Sequence, residues 1–196
     1  MSLRDLLAGP VDVAARGLLG CELVHGEVVL RITEVEAYGG PEDTASHARH
    51  GRTPRNEPMW GPPGHAYLYF CYGMHWMLNV VTGPEGVASA VLIRGAEVRA
   101  GWDLVLARRG ADRLTPQLCA GPGKVAQALG LDRTQDRHPL LGRTGLRLRE
   151  GSAPPALVQG PRVGIAFAAE ADRRRPWRFA EAGHPAVSRP RPSEEP

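Results

Sequence analysis

Apolar and polar residues alternate along the first half of the chain in a pattern that predicts antiparallel β-structure. In the run from Val28 to Tyr38, three aliphatic residues, two glutamates and a tyrosine share one parity: Val28, Leu30, Ile32, Glu34, Glu36 and Tyr38. This run and a preceding one, Cys21 to Val24, flank His25-Gly26, which predicts a hairpin. One face of the second strand is therefore expected to change from apolar to acidic and then to aromatic.

More strand-like runs follow along the chain. Residues 65–81 read HAYLYFCYGMHWMLNVV and predict two strands joined at Tyr72-Gly73-Met74, so that a β-hairpin protrudes there. Three further runs have the composition of strands: Val87 to Arg94, Leu146 to Arg149 and Pro161 to Ala168.

Three segments are typical of helices: Pro10 to Leu19, Ala96 to Arg108, and Pro122 to Leu129. The third is begun by GPGK and ended by Gly130. Together the elements predict an α+β fold, in which helices surround a curved antiparallel β-sheet. We expect one domain over residues 1–182 and a Pro-rich, disordered tail over residues 183–196.

Residues 39–64, GGPEDTASHARHGRTPRNEPMWGPPG, show no sustained periodicity and are rich in Gly, Pro and charge. A connection of this length within a compact domain is uncommon, and it is usually functional or disordered. The loop therefore indicates a site.

Composition narrows the class of protein. The 196 residues are 42% hydrophobic and 23% charged, as in an ordinary globular domain. No apolar run reaches membrane-spanning length and the N-terminus lacks a secretory pattern, so we expect a cytoplasmic protein with no membrane partner. The three cysteines lie far apart without a CxxC motif, so we expect no metal site.

Charge keeps nucleic acid among the possible partners. The net charge is +3 and the sequence pI is about 9.0, which permits binding to a polyanion without proving it. Lys124 is the only lysine among the 24 basic residues. Because Arg, Gly, Pro and Ala share GC-rich codons, this bias suggests a bacterial source of high GC content.

All four tyrosines fall in one 35-residue window, which also contains Glu34, Glu36 and His47. A carboxylate that emerges from a buried face has restricted solvation and an adjustable proton affinity, so Glu36 can activate water. Glu34 is a rival on the same face. The alternative for either glutamate is a structural role in a salt bridge. The alternative for the tyrosines is a structural place at the rim of the sheet core.

Three other residues are candidates for a site. Tyr72, at the hairpin tip beside Gly73, could wedge between stacked bases in a minor groove, or it could be an exposed aromatic packed on its neighbour. Arg94 closes the strand VLIR and could orient a carboxylate, a water or a phosphate, although a surface arginine is the default interpretation. Asn79, within an apolar run, needs hydrogen-bond partners and could read the edge of a ligand.

The segments RITEVEAYGGPEDTASHARHGRTPRNEPMW, HAYLYFCYGMHWMLNVV and VLIRGAE resemble the alkyladenine (3-methyladenine) DNA glycosylase family. The resemblance continues through AGPGKVAQALG and PRVGIAFAAE to RRRPWRF, and so covers about Leu18 to Phe179. It implies an enzyme that flips a damaged purine out of the duplex and hydrolyses its bond to the sugar.

The resemblance also implies roles for individual residues. Glu36 of the EAY motif matches the general base, and Arg94 matches a residue that helps to hold the water and the flipped nucleotide. Tyr38, His47 and Tyr69 match the aromatic walls that stack on the base. Asn79 matches the residue that disfavours the amino group of normal guanine. Tyr72, together with Gly73 and Met74, matches the element inserted into the minor groove.

The expected activity is monofunctional and starts base excision repair. Cleavage of the strand by a glycosylase requires an amine nucleophile, for which only Lys124 and the α-amino group of Met1 are available. Lys124, at a helix start, is better suited to contact a DNA phosphate. We expect a monomer without a cofactor, associated with the nucleoid through double-stranded DNA, which excises 3-methyladenine, 7-methylguanine, hypoxanthine or ethenoadenine. Which lesion is preferred stays open, because Gly39 after EAY and His75-Trp76 after YGM depart from relatives. The rival hypotheses are a non-catalytic minor-groove wedge and an RNA-binding domain.

Overall fold

Two long paired strands form the centre of the sheet. The structure, a computed structural model, describes residues 2–71 and 73–192. Within them the chain forms eight strands: β1 Glu22–His25, β2 Val28–Tyr38, β3 Ala66–Cys71, β4 His75–Val81, β5 Ala90–Ala100, β6 Arg147–Arg149, β7 Leu157–Gly160 and β8 Arg178–Glu181. All pairs are antiparallel, in the order β3-β4-β5-β2-β1-β6. The far end of β2 pairs with β8, and β8 with β7.

Five α-helices accompany the sheet in the described residues: α1 Leu3–Ala8, α2 Val11–Leu18, α3 Trp102–Arg109, α4 Pro122–Leu129 and α5 Glu170–Arg174. Ser2 caps α1 through a reciprocal capping box with Asp5. The first four helices contribute buried residues to the main core, on one face of the sheet. The α+β class, the antiparallel sheet and the single domain are thus confirmed.

The opposite face of the sheet is covered by loops instead of long helices. It carries a smaller apolar cluster that includes Tyr67 of β3, Val81 of β4 and Ala90 of β5, packed with Met59 from the loop of residues 39–64. That loop contains two 3₁₀ turns, His47–His50 and Glu57–Trp60, and it buries polar side chains. The loop is therefore ordered and covers the second face of the sheet.

Two β-bulges, one on each central strand, reverse which residues of these strands face the main core. Ile32 pairs with Ala96, Glu34 with Gly95, and Val35 with Ile93, so β2 and β5 each gain one extra residue. Beyond the bulge, Val35 joins the main core. The predicted parity was therefore wrong, because it placed Glu34 and Glu36 on the face of Val28, Leu30 and Ile32.

Two predicted elements differ from the structure. The helix predicted over residues 96–108 was wrong over residues 96–101, because β5 continues to Ala100 in register with β2 and α3 begins after Gly101. The strand predicted over residues 161–168 is a series of turns, and the strands of this region are β7 and β8. Over residues 96–100 pairing with β2 decides the conformation, and local propensity does not.

The segment after residue 182 also differs from the predicted tail. Ala186, Val187 and Ser188 are buried, and Ser188 forms hydrogen bonds with residues of β2 and β8. Residues 193–196 lie outside the described residues. None of the helices described has the length and hydropathy needed to cross a membrane.

Candidate active site

A cavity of about 320 Å³ opens on the loop-covered face of the sheet. Its walls come from β2 to β5, from the loop of residues 39–64, and from the turns after β7. The lining includes Tyr38, His47, Tyr69, Asn79, Arg94, Val163, Ile165 and Phe167. The volume falls at the lower end of the range for small-ligand sites, which suits a compact planar ligand.

Glu36 lies directly behind the residues that line the cavity and is fully buried. Its Oε2 accepts a hydrogen bond from the Tyr38 hydroxyl at 2.7 Å, and its Oε1 accepts one from the Val163 amide at 2.8 Å. Arg94 Nη1 lies 3.3 Å from Oε1. These three partners line the cavity while Glu36 itself does not. Tyr38 and Val163 donate hydrogen bonds and Arg94 forms an ion pair, so part of the acceptor capacity of this carboxylate stays free.

Glu34, two residues before Glu36 in β2, is also buried, and apart from Arg94 its partners differ from those of Glu36. Its Oε1 accepts hydrogen bonds from Arg94 Nε at 3.2 Å, Arg178 Nε at 2.6 Å and Ser188 Oγ at 2.9 Å. Its Oε2 accepts from the Ser188 amide at 2.6 Å. Because its acceptor positions are occupied by protein donors, Glu34 is a poor candidate for activating water.

Arg94 connects the two carboxylates. Burial lowers the pKa of this guanidinium, but attraction by Glu36 and Glu34 outweighs burial, so that the pKa is raised overall. Arg94 therefore remains a cation between two buried carboxylates, with Nη1 directed to Glu36 and Nε to Glu34.

Tyr38 forms one aromatic wall of the cavity and is supported from within the protein. The Arg162 guanidinium lies 4.9 Å from the Tyr38 ring centroid and 5.3 Å from the Trp177 ring. It forms a bidentate pair with Asp43, at 2.6 and 2.8 Å, in which both side chains are fully buried. Burial, and then the negative charge of Glu36, raise the pKa of Tyr38, so its hydroxyl remains a donor.

His47 and Tyr69 form a second aromatic wall. Their ring centroids lie 4.5 Å apart in an edge-on arrangement, and the Tyr67 hydroxyl lies 2.9 Å from His47 Nδ1. Burial, followed by repulsion from Arg55 and Arg49, lowers the pKa of His47 to about 4. The imidazole is thus neutral at physiological pH.

Asn79 reaches the cavity from β4. Its Nδ2 donates to the Tyr67 carbonyl across the β3–β4 pair at 3.0 Å, and the residue is buried. This bond uses one amide hydrogen. The other hydrogen and the oxygen are available to a ligand in the cavity.

The residues expected to contact DNA lie elsewhere. Gly73, with φ +66°, and the exposed Met74 form the turn between β3 and β4, while Tyr72 lies outside the described residues. Lys124, in the first turn of α4, donates to the Gln117 carbonyl at 3.2 Å. Neither Gly73, Met74 nor Lys124 lines the cavity.

Several residues of the site were missed from the sequence. Val163 contributes a backbone amide, so its side chain carries no signal, and it lay in a predicted strand. Ser188 lay in the predicted tail. The pair of Asp43 and Arg162 joins two loops 119 residues apart, and one sequence alone does not reveal such a pairing.

Comparison with known proteins identifies the family of this chain. Residues 5–185 match the family model described as methylpurine-DNA glycosylase. A protein of Nitrosococcus oceani with the provisional name 3-methyladenine DNA glycosylase is 57% identical over 178 residues, which cover 91% of this chain and 88% of that relative. The DNA-3-methyladenine glycosylase of Arabidopsis thaliana is 48% identical over 187 residues, or 95% of this chain and 73% of the relative.

The match spans every element that shapes the cavity, from β2 to the strand after α5. The similarity also confirms the family resemblance found in the sequence motifs. This chain belongs to the methylpurine-DNA glycosylase family, and it is a DNA glycosylase, a hydrolase of N-glycosyl bonds.

Proposed function

We propose that the enzyme excises alkylated or deaminated purines from double-stranded DNA by direct attack of water, with Glu36 as general base. The observation that carries this proposal is the position of Glu36. It is a fully buried carboxylate held by two hydrogen-bond donors and one ion pair, and each of these partners belongs to a residue that lines the aromatic cavity. A water that reaches its free acceptor position would stand between the carboxylate and a nucleotide in the cavity.

In the proposed reaction, a water oxygen forms a bond to the anomeric carbon of the flipped nucleotide as the N-glycosyl bond breaks. Glu36 accepts the proton of that water. The base leaves with the electron pair of the broken bond. An alkylated purine that carries positive charge is a good leaving group and needs little protonation, whereas a neutral lesion such as hypoxanthine requires a proton during departure.

The aromatic walls would select the base. Tyr38 on one side and His47 with Tyr69 on the other provide planar faces for stacking. Since His47 is neutral, its ring does not repel a cationic purine. The free amide groups of Asn79 would contact the edge of the base and oppose the amino group of guanine. Of the proposed substrates, 3-methyladenine, hypoxanthine and ethenoadenine lack that amino group, whereas 7-methylguanine retains it and is favoured by its positive charge, which makes it a good leaving group.

DNA binding would use the β3–β4 turn. Gly73 and the exposed Met74 form a projecting apolar tip, and Tyr72 between them and Cys71 would fill the space left by the flipped nucleotide. Lys124 would contact a phosphate from the start of α4. We propose that the enzyme acts as a monomer.

The position of the lysine supports hydrolysis without strand cleavage. A glycosylase that also cuts the strand forms a Schiff base through an amine in its pocket. Lys124, the only lysine in the sequence, does not line the cavity. Water is therefore the nucleophile that the cavity favours.

The test is a time course on end-labelled duplexes that each contain one hypoxanthine, ethenoadenine or 7-methylguanine. One part of each sample is left untreated, a second is treated with alkali, which cleaves abasic sites, and a third is treated with borohydride, which traps Schiff bases. We expect strand breaks only after alkali and no trapped complex. Breaks without alkali, or a trapped complex, would contradict the water mechanism, and the rates on the three lesions rank the substrates.

A further inference from the structure

The segment of residues 184–188, here called the C-terminal strap, crosses the buried side of the active site. The Thr33 hydroxyl donates to the Ala186 carbonyl at 3.0 Å, and this bond lies in the interior. Gly95 permits the close approach, because a Cβ at that position would lie 2.6 Å from the Ala186 oxygen. The strap is therefore fitted against the bulges of β2 and β5, where the catalytic side of the sheet begins.

Ser188, at the end of the strap, is bonded to Glu34 through both its backbone and its side chain. Its amide donates to Oε2 at 2.6 Å, and its hydroxyl donates to Oε1 at 2.9 Å. Arg178 Nη2 donates to the Ser188 carbonyl at 3.0 Å. These contacts leave the serine hydroxyl in one orientation, with its lone pairs directed away from Glu34.

Those lone pairs face Arg94 and also Arg178, whose Nη2 lies 3.4 Å from the hydroxyl. Arg94 Nε lies 3.4 Å from the Ser188 hydroxyl and Nη2 lies 3.3 Å from it. Ser188 thus contacts two of the three guanidinium nitrogens. The third nitrogen, Nη1, is the one that lies 3.3 Å from Glu36.

We propose that Ser188 is a positioning residue for the hydrolysis. By accepting from Nε and Nη2, it fixes the rotation of the planar guanidinium and so keeps Nη1 directed at Glu36 and the cavity. The inference rests on the proposed function, because it assigns Ser188 to the same reaction. It adds a residue that does not line the cavity and that lies beyond the predicted domain boundary.

A purely structural role for Ser188 makes a different prediction from positioning. If the hydroxyl only stabilises the strap, its loss would lower stability and leave the chemical step intact. Thr33 provides the matched control, because its hydroxyl donates to the carbonyl of Ala186, two residues before Ser188 in the same strap. Thr33→Val therefore removes one buried bond of the strap and leaves the bonds of Ser188 to Arg94 in place.

The experiment compares the wild type, Ser188→Ala and Thr33→Val in single-turnover base release with saturating enzyme on a hypoxanthine duplex. Affinity for the same duplex and the urea midpoint of unfolding are measured in parallel. For Ser188→Ala we expect a rate about tenfold below wild type, as for the loss of one hydrogen bond to a charged group, with affinity within about twofold. Thr33→Val should lower the urea midpoint and keep the wild-type rate.

A double-mutant cycle identifies Arg94 as the intermediary. In an Arg94→Gln background, Ser188→Ala should cause no further loss of rate. A wild-type rate for Ser188→Ala, or an equal loss of rate in both backgrounds, would overturn the proposal. Failure of the proposed function is distinguishable, because it would appear as full activity of Glu36→Gln, which leaves the comparison of Ser188 with Thr33 unaffected.

Discussion

Asp43→Asn is the substitution whose effect on stability follows most directly from the structure. Asp43 accepts four hydrogen bonds: two from Arg162, one from the Gly39 amide at 2.9 Å and one from the Ala45 amide at 3.1 Å. Asparagine keeps the shape but removes the charge and one acceptor oxygen. Arg162, whose side chain is 0% exposed, would remain as a buried cation without a counter-ion.

The expected cost is large. Breaking a buried ion pair by removing one partner typically destabilises a protein by about 3–5 kcal/mol. In a domain of this size, each kcal/mol lowers the melting temperature by about 2–4 °C, so the shift should be about 6–20 °C. The double variant Asp43→Asn/Arg162→Met should recover much of this loss, because it removes both buried charges.

Glu170→Gln is the matched control for that substitution. The pair of Glu170 and Arg174 also has a distance of 2.6 Å, but its side chains are 63% and 80% exposed. Losing it should cost less than about 0.5 kcal/mol. The assay is thermal and urea unfolding of the purified variants. Equal, small shifts for Asp43→Asn and Glu170→Gln would refute the argument that burial makes the Asp43 pair critical.

Three further predictions concern other parts of the molecule. Because the pKa of His47 is about 4 in the folded protein and near 6.5 when unfolded, the unfolded chain binds more protons between these values, and stability should fall as pH drops from 6.5 to 4. Urea unfolding at several pH values should show this loss, up to about 3 kcal/mol, and His47→Gln should reduce it; an unchanged pH dependence would contradict the assignment. Gly95→Ala should destabilise by about 1–3 kcal/mol in the same assay, because its methyl group would collide with the Ala186 carbonyl, and wild-type stability would show that the strap can move away. Lys124→Gln should weaken duplex binding and lower the slope of log affinity against log salt by about 1, and an unchanged slope would remove the phosphate contact.

Local patterns predicted the elements that depend on local chemistry. The hairpin of β1 and β2, the hairpin of β3 and β4, and helix α4 with its Gly130 stop follow from alternation and turn residues, and the structure contains them. The aromatic and polar candidates Tyr38, His47, Tyr69, Asn79 and Arg94 all reach one cavity. These successes share a cause, since each residue lies on a strand or loop that the sequence delimits by itself.

The predictions that differ from the structure concern residues whose conformation is set by distant segments of the chain. The bulges at Thr33 and Arg94 form because β2 must pair with β5, and they reverse the parity on which the faces of the strand were predicted. Residues 96–100 form a strand for the same reason, because they pair with β2. Ser188 is ordered because Glu34, 154 residues earlier in the chain, binds its amide. Such long-range pairings are not contained in the periodicity of one sequence.

Base release by Glu36→Gln is the measurement that tests the central claim most directly. Free base is quantified by chromatography in single turnovers on hypoxanthine and 7-methylguanine duplexes, beside the wild type and Glu97→Gln, a partly exposed glutamate that pairs with Arg99. We predict that Glu36→Gln binds the duplexes with near wild-type affinity and releases base about 10²–10⁴ times more slowly, while Glu97→Gln retains the wild-type rate. Base release by Glu36→Gln at the wild-type rate would contradict its role as the base that activates water.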